Sequence, residues 1–197
     1  MAGRGRPRAF DEEKVLDVAM RLFWDHGFDG TSMSDLTEAM GINRRSIYAA
    51  FGNKEALFTA ALEHYLAGPG AFVEKARALP TAREVAEAFL RGSVEAFTSS
   101  DRPSGCMAVQ SALTCSDAAA AVCSDLAARR VAGVGAFRER FDRAQLDGDL
   151  PADVDTQALA SYIVALSNGI SVQANSGIGR AALTRTVEFA LSTWPST

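Results

Sequence analysis

Residues 31–54 read TSMSDLTEAMGINRRSIYAAFGNK, a stretch with the signals of two short helices. Hydroxyl residues precede the first helix, Gly41 separates the two, and Asn43 caps the second. The second helix opens with two arginines, and an aromatic residue lies at its end. A pair of helices joined by a tight glycine turn is a helix-turn-helix, whose second helix can lie in the major groove of DNA. The stretch therefore predicts a DNA-reading element.

The first turn of that second helix carries the side chains best suited to contact DNA. Arg44 and Arg45 can each donate two hydrogen bonds to guanine, a contact that gives about 1–3 kcal/mol of discrimination. Ser46 is short enough for a base or a phosphate, whereas Tyr48 and Lys54 suit phosphates. The alternative is that the arginines form a solvated face and the tyrosine belongs to the core. The turn, cap and core residues around them favour the DNA interpretation.

Two further groups are candidate DNA contacts. The hydroxyl residues at the start of the first motif helix are expected to contact DNA phosphates. The N-terminal arm alternates arginine with glycine or proline, which suits a narrow minor groove. The predicted residues are Thr31, Ser32 and Ser34 at the helix, and Arg4, Arg6 and Arg8 in the arm. The arm resembles an AT-hook core, although a disordered start without a fixed role explains its composition equally well.

Composition excludes several classes of protein. With 48% apolar residues, 22% charged residues and a net charge of −4, the chain is typical of a globular protein. No stretch approaches the roughly 20 apolar residues of a membrane span, and MAGRGRPRAF is not a secretory signal, so we expect a cytoplasmic protein without a membrane partner. The cysteines lack C-x-x-C spacing, and the histidines are far apart in the sequence. We therefore expect no metal site and no cofactor.

Apolar residues recur at helical spacing along most of the chain, and strand-like alternation is absent. We predict an all-α fold of about nine helices. The predicted helices after the motif cover 54–67, 84–98, 106–114, 117–146, 156–175 and 180–193. The division that follows is a flexible arm at 1–8, a three-helix helix-turn-helix domain at 9–69 with its motif at 32–51, and a larger helical domain at 70–197.

One set of residues is specific enough to suggest a family. It comprises Phe10, Ala19-x-x-Leu22-Phe23, Gly27-Phe28-x-Gly30-Thr31-Ser32, Leu36, Gly41-Ile42, Ile47-Tyr48-x-x-Phe51 and Asn53-Lys54-Glu55-x-Leu57. Because of these residues, the segment 10–69 resembles the DNA-binding domain of the TetR/AcrR family of bacterial regulators. The resemblance implies base contacts from residues 44–46 and phosphate contacts from Tyr48 and Lys54. Arg45, Ala49 and Ala50 depart from the family pattern, since relatives often carry a small residue at 45 and larger or polar ones at 49 and 50.

The resemblance also implies that residues 70–197 dimerise and bind a small molecule. The last two long helices carry apolar stripes that suit a two-fold interface, although the core of a monomer would produce the same stripes. The predicted interface residues are Leu159, Tyr162, Ile163, Leu166, Ile170, Val187, Phe189, Ala190 and Trp194. Aromatic residues with a few polar neighbours suit a mostly apolar ligand. The predicted pocket residues are Leu62, Tyr65, Phe89, Phe97, Met107, Gln110, Ser111, Thr114, Phe137, Phe141, Asn168 and Gln173.

These observations predict a dimeric transcriptional repressor that leaves a palindromic operator when an apolar effector binds. A redox-gated regulator is an alternative, because Cys106, Cys115 and Cys123 offer thiols, although buried cysteine more often serves as small apolar filler. A small helical enzyme is a second alternative. The sequence has no glycine-rich phosphate loop and no nucleophile beside a base, so we predict no catalytic residues.

Overall fold

The structure, a computed structural model, describes residues 10–113, 116 and 119–195. Within these ranges it contains ten α-helices and no strand, which confirms the all-helical prediction. They are α1 (Glu12–Gly30), α2 (Met33–Met40), α3 (Arg44–Phe51), α4 (Lys54–Ala67), α5 (Phe72–Arg77), α6 (Ala82–Phe97), α7 (Met107–Leu113), α8 (Ala120–Leu146), α9 (Thr156–Asn175) and α10 (Arg180–Ser192). None of these helices is both long and apolar enough to cross a membrane.

One helix is absent from the sequence prediction, and α1 contains an irregular residue. The six residues of α5 follow Gly68-Pro69-Gly70 closely, and no side-chain cap marks their start. Gly27 of α1 leaves helical geometry at φ 71°, yet the chain resumes the helix as far as Gly30.

Local caps fix the ends of α2 and α3. The hydroxyl of Ser32 accepts a hydrogen bond from the backbone N–H of Asp35 at 3.1 Å, and the carboxylate of Asp35 accepts one from the N–H of Ser32 at 2.8 Å. Gly41 ends α2 at φ 65°, a left-handed conformation that glycine adopts without steric cost. Asn43 then caps α3, accepting from the N–H of Ser46 at 2.9 Å. Each cap contributes about 1 kcal/mol, which holds these short helices in place.

The N-terminal helices share a core with residues much later in the chain. Phe58 of α4 meets the ring of Phe23 at 5.2 Å and that of Phe28 at 5.4 Å, both edge-to-face. Met107 of α7 and Leu126 of α8 belong to the same buried cluster. The first core therefore extends beyond α4. Because the core is close-packed, a displacement of α7 or α8 would also shift the helices that support the motif.

A second core fills the space between α5, α6, α8, α9 and α10. Its aromatic centre is Phe137, whose ring lies 4.5 Å from that of Phe89 and 6.3 Å from that of Phe141. Phe141 in turn meets the ring of Trp194 at 5.9 Å. Helix α8 contributes buried residues to both cores and so connects them.

Candidate nucleic-acid interface and internal cavity

Helix α3 has one buried side and one exposed side. Ile47 is fully buried, and Phe51 packs half-buried against the first core. Arg44, Arg45 and Tyr48 lie on the outer side, with Tyr48 37% exposed. The outer side thus presents two guanidinium groups and a phenol within about one helical turn, a combination suited to base edges and phosphates.

Arg44 and Tyr48 are joined to each other. The guanidinium of Arg44 donates two hydrogen bonds to the Tyr48 hydroxyl oxygen, from Nε at 3.0 Å and from Nη2 at 2.8 Å, and lies 5.3 Å from the ring centroid. Residues four apart on a helix are neighbours, so this pair forms within α3 itself. Among the described residues, Arg45 has no such partner. The two adjacent arginines therefore differ: Arg44 is held in one orientation, and Arg45 is free to reach outward.

Lys54 at the start of α4 is partly buried. Its ammonium lies 4.1 Å from the ring centroid of Phe28, within cation–π distance. Burial lowers the pKa of Lys54, while the carboxylates of Asp29, Glu55 and Asp35 act in the opposite direction. The contact between Lys54 and a phosphate stays a prediction. The ammonium that would make this contact already packs on the ring of Phe28.

The structure corrects the assignment of Thr31. This residue is fully buried, and its hydroxyl donates hydrogen bonds to the carbonyl oxygens of Gly27 at 2.8 Å and Leu22 at 3.3 Å. These hydrogen bonds hold Thr31 against the end of α1, so its side chain is not available for a contact with DNA. Ser32 and Ser34 are exposed at the start of α2. The predicted contacts Arg4, Arg6 and Arg8 lie outside the described residues.

A cavity of about 190 Å³ lies where α4, α5, α6, α7, α8 and α9 meet. Its lining contains five of the predicted pocket residues: Tyr65, Phe89, Phe97, Phe137 and Asn168. The sequence prediction omits Phe72, Cys106, Arg130, Gly133, Val164 and Ser167, which line it as well. Phe72 is missing from the predicted pocket because the sequence prediction lacks α5, the helix that carries it. The others alternate with core residues on their helices, so no local signal marks which of them borders an empty space.

Several predicted pocket residues lie elsewhere, and these assignments are corrected. Leu62 and Met107 are fully buried in the first core, and Phe141 is fully buried in the second. Ser111 is buried away from the cavity lining, Gln110 accepts a hydrogen bond from Asn175, and Gln173 is exposed. Thr114 lies outside the described residues. All were chosen for apolar or polar character at helical spacing, which does not distinguish a packed core from a cavity wall.

Polar groups at the cavity wall are mostly paired with one another. The Tyr65 hydroxyl donates to the sulfur of Cys106 at 3.4 Å, and burial raises the pKa of both groups, so both stay neutral at physiological pH. The hydroxyls of Ser93 and Ser167 bond to each other at 2.8 Å. Asn168, by contrast, has no hydrogen-bond partner for its side chain among the described residues.

The segment Gly105-Cys106 connects this cavity to α1. The indole N–H of Trp24 donates to the carbonyl oxygen of Gly105 at 3.2 Å, and the ring of Trp24 meets that of Tyr65 at 4.7 Å. The N–H of Cys106 donates to the hydroxyl of Ser171 at 2.8 Å. The Tyr65 side chain, which borders the cavity, therefore contacts α1 directly, and Cys106 is linked to α1 through the backbone carbonyl of the preceding residue.

The predicted interface residues of α9 and α10 fall into three groups, which are buried, exposed and half-buried. Ile163, Ile170 and Val187 are buried in the core of the single chain, and Ala190 is buried too, which corrects their assignment as contacts with a partner. Tyr162 is 47% exposed and Phe189 73% exposed. Leu159, Leu166 and Trp194 are half-buried against the second core. The sequence stripes were right about amphipathic helices, but most of each stripe faces inward.

The cysteines are not equivalent. Cys106 is a free thiol, whereas Cys123 is disulfide-bonded. Cys115 lies outside the described residues. Within the part of the chain that the structure describes, no group of three or more His, Cys, Asp or Glu residues is arranged to hold a metal ion.

Known proteins share both the motif and the larger helical part of this chain. A family model described as bacterial regulatory proteins, tetR family, matches residues 15–61. The HTH-type transcriptional repressor ComR of Escherichia coli (strain K12) is 32% identical over 195 residues, which cover 98% of this chain and 92% of ComR. The chain belongs to the TetR family. It is therefore a DNA-binding transcriptional regulator and not an enzyme. The resemblance of residues 10–69 to the TetR/AcrR family is confirmed.

Two further relatives add detail. The HTH-type transcriptional repressor BdcR of the same E. coli strain is 45% identical over 62 residues, 32% of each chain. The TetR family transcriptional regulator CifR, solved as a cysteine mutant complexed with 26-bp double-strand operator DNA, is 44% identical, with a TM-score of 0.91. That match covers 96% of this chain and 100% of CifR. Over almost its full length, this TetR-family chain thus has the fold of a regulator whose structure is known on its operator.

Proposed function

We propose that this chain is a dimeric repressor that leaves a palindromic operator when a small apolar molecule fills the cavity between α4, α6, α8 and α9. Such a role would be carried out in the cytoplasm, where bacterial DNA lies. The observation that carries the proposal is the combination, in one fold, of an exposed cationic face on α3 and an apolar cavity that borders the last helix of the motif domain. The proposed division is an arm at 1–8, a DNA-binding domain at 9–69 and a sensing and dimerising domain at 70–197.

The DNA half of the proposal is supported by the outer side of α3. Arg45 would read a base edge, because it is exposed and free of protein partners among the described residues. Arg44, already held by Tyr48, would approach a base or phosphate in a fixed orientation, at a small entropic cost. Ser46, Ser32, Ser34 and Lys54 would add phosphate contacts that position the helix.

The dimer half is supported by one face of α9. Tyr162, Ala165, Leu166, Gly169 and Val172 follow the i, i+3, i+4, i+7 spacing of a single helix face, and each is exposed or half-buried. Exposed Phe189 of α10 would extend this face. The small residues would let two copies approach closely. A two-fold pair would present its α3 helices to half-sites about 34–36 Å apart, or a multiple of that.

Release would follow from a shift in population. Tyr65 lies on α4 and borders the cavity, and its ring packs on Trp24 of α1. A ligand that prefers one arrangement of Tyr65 and Cys106 would therefore bias the position of α4 and α1, and with them α3. The equilibrium shifts only by as much as the ligand prefers that arrangement.

The test is operator binding by the full-length protein. A promoter fragment from beside its own gene should be retarded in a gel-shift assay at low salt, and the retardation should weaken as salt rises. Arg45→Ala should lose most of this binding while remaining a dimer in size-exclusion chromatography. Arg83→Ala, an exposed arginine on α6, is the matched control and should bind like the wild type. Absence of binding to any nearby promoter at low salt would contradict the repressor proposal.

Thiol oxidation is a second candidate signal, favoured by the disulfide at Cys123. Cys123 lies in the first turn of α8, and α8 is tied to α4 by an ion pair between Arg129 and Glu63 at 3.5 Å. Making or breaking the disulfide would then reach α4. Under this proposal, a reductant changes operator affinity in the wild type and has no effect on Cys123→Ser. Equal operator affinity of the wild type with and without reductant would exclude it.

A further inference from the structure

The size of the cavity limits what can occupy it. An engineered apolar cavity of about 150 Å³ binds benzene. The present cavity, at about 190 Å³, is only slightly larger, and its walls include four phenylalanine rings. A single six-membered ring with a short substituent, roughly nine non-hydrogen atoms in all, fits this volume.

The wall also offers the ligand one neutral hydrogen-bond donor, in addition to the charged guanidinium of Arg130. The Ser93 hydroxyl donates to the carbonyl oxygen of Phe89, so the Ser167 hydroxyl donates to Ser93, and the Tyr65 hydroxyl donates to the sulfur of Cys106. The Asn168 amide, in contrast, lines the cavity without a partner among the described residues. Its half-buried N–H₂ group can donate to one ligand oxygen, so a ligand with such an oxygen is preferred over an apolar ligand of the same shape.

Gly133 lies in the cavity wall at its solvent-facing side. Arg130, Gly133 and Phe137 all line the cavity from α8, at the i, i+3 and i+7 positions of one helix face. Gly133 is exposed at the open side of the cavity, and a Cβ added there would meet nothing within 4 Å, so a larger side chain fits there without a clash. Gly135 is equally open but does not line the cavity, which makes it a control on the same helix.

We infer that the effector is a compact, neutral ring compound with one hydrogen-bond-accepting oxygen, which bonds to Asn168 while Gly133 leaves the room that the ring needs. This inference rests on the proposed function, because it treats the cavity as the effector site. It adds the chemical class of the ligand and the two residues that select it.

Binding is tested by isothermal titration calorimetry on the full-length protein without DNA. Acetophenone is the probe, and α-methylstyrene, which replaces the carbonyl oxygen with a methylene group, is its apolar match. Acetophenone should bind about three- to tenfold more tightly than α-methylstyrene, the range of one net hydrogen bond. Asn168→Leu should abolish this preference. The same preference in wild type and Asn168→Leu would overturn the assigned polar contact.

Glycine variants test the location. Gly133→Leu should weaken acetophenone binding at least about tenfold, since its side chain takes the ligand's volume. Gly135→Leu should bind acetophenone like the wild type. Both variants should melt no lower than the wild type without ligand, because leucine is a better helix former than glycine. Equal binding by the two variants would overturn the site, and tighter binding of benzoate than of acetophenone would overturn the neutral class in favour of a contact with Arg130.

Operator binding measured in parallel separates this inference from the repressor proposal. A protein that binds its operator but none of the ring compounds overturns the ligand class and leaves the repressor proposal standing. If acetophenone binds with the predicted variant pattern but operator binding is absent, the ligand class is supported and the repressor proposal fails. If both occur, acetophenone should release the wild type from DNA and fail to release Gly133→Leu.

Discussion

The outer side of α3 and the wall of the cavity are built in opposite ways. On α3, neighbouring residues in the sequence supply the cap, the core contact and the exposed cations, all within about two helical turns. The cavity wall draws on six helices, and its members are separated by up to about a hundred positions in the chain. The first surface should therefore tolerate changes that alter DNA affinity alone, whereas changes in the second should alter stability and signalling together.

The largest expected effect lies in the cavity wall. Phe89→Ala removes a nearly buried ring that lies 4.5 Å from Phe137, and should reduce the free energy of unfolding by about 3–5 kcal/mol. Urea denaturation measures this. Once corrected for the folded fraction, operator affinity without effector should match the wild type. A large loss of operator affinity in the folded fraction would show that the two regions are not separable.

Gly105→Ala tests the segment that joins the two regions. Gly105 has φ +79°, and a Cβ there would lie 3.0 Å from the carbonyl oxygen of Ser171 and 2.8 Å from the Gln110 amide nitrogen. Backbone strain and this crowding together should cost about 3 kcal/mol of stability. Gly148→Ala is the control, since Gly148 has φ +77° with nothing within 4 Å of its Cβ, so it isolates the strain.

Thermal denaturation of these two variants, with and without effector, provides the measurement. Gly105→Ala should be less stable than Gly148→Ala, and it alone should respond weakly to effector in a gel-shift assay. Equal stability and equal effector response in the two variants would mean that the packing around Gly105 carries no signal.

The contrast between the regions also explains what the sequence revealed. Gly41 and Asn43 act through neighbours a few positions away, so the turn and the cap could be predicted from spacing alone. The position of Thr31 before a helix predicts a DNA contact, but the direction of its hydroxyl depends on the kink of α1 at Gly27. The cavity residues could not be separated from Leu62 or Phe141, because whether an apolar side chain borders a void depends on the relative placement of several helices.

Arg45→Ala tests the DNA side, with an expected loss of about 2 kcal/mol in operator binding. The free energy of unfolding should be unchanged within about 0.5 kcal/mol, because Arg45 is exposed. If the side chain reads a base, affinity for random-sequence DNA should fall much less than affinity for the operator. Fluorescence anisotropy with both DNAs measures the two losses, and equal losses would assign Arg45 to a phosphate.

Asn43→Ala probes the cap that orients α3. Its side chain accepts hydrogen bonds from the N–H of Ser46 at 2.9 Å and from the Ser46 hydroxyl at 3.2 Å. Its removal should cost about 1 kcal/mol of stability. Asn43→Asp, which retains an acceptor at the cap, should recover most of that stability in chemical denaturation. If the aspartate variant is as unstable as the alanine variant, the cap is not the source of the loss.

The smallest effect is expected for Tyr48→Phe. This change removes the oxygen that accepts from Nε and Nη2 of Arg44 but keeps the ring beside the guanidinium. Operator affinity should fall by about 0.5–1 kcal/mol, because Arg44 loses its fixed orientation and the hydroxyl can no longer donate to a phosphate. No charge is removed, so the slope of log affinity against log salt should stay that of the wild type. A slope lower by about one unit would mean that Arg44 itself had left a phosphate, and that Tyr48 holds it there.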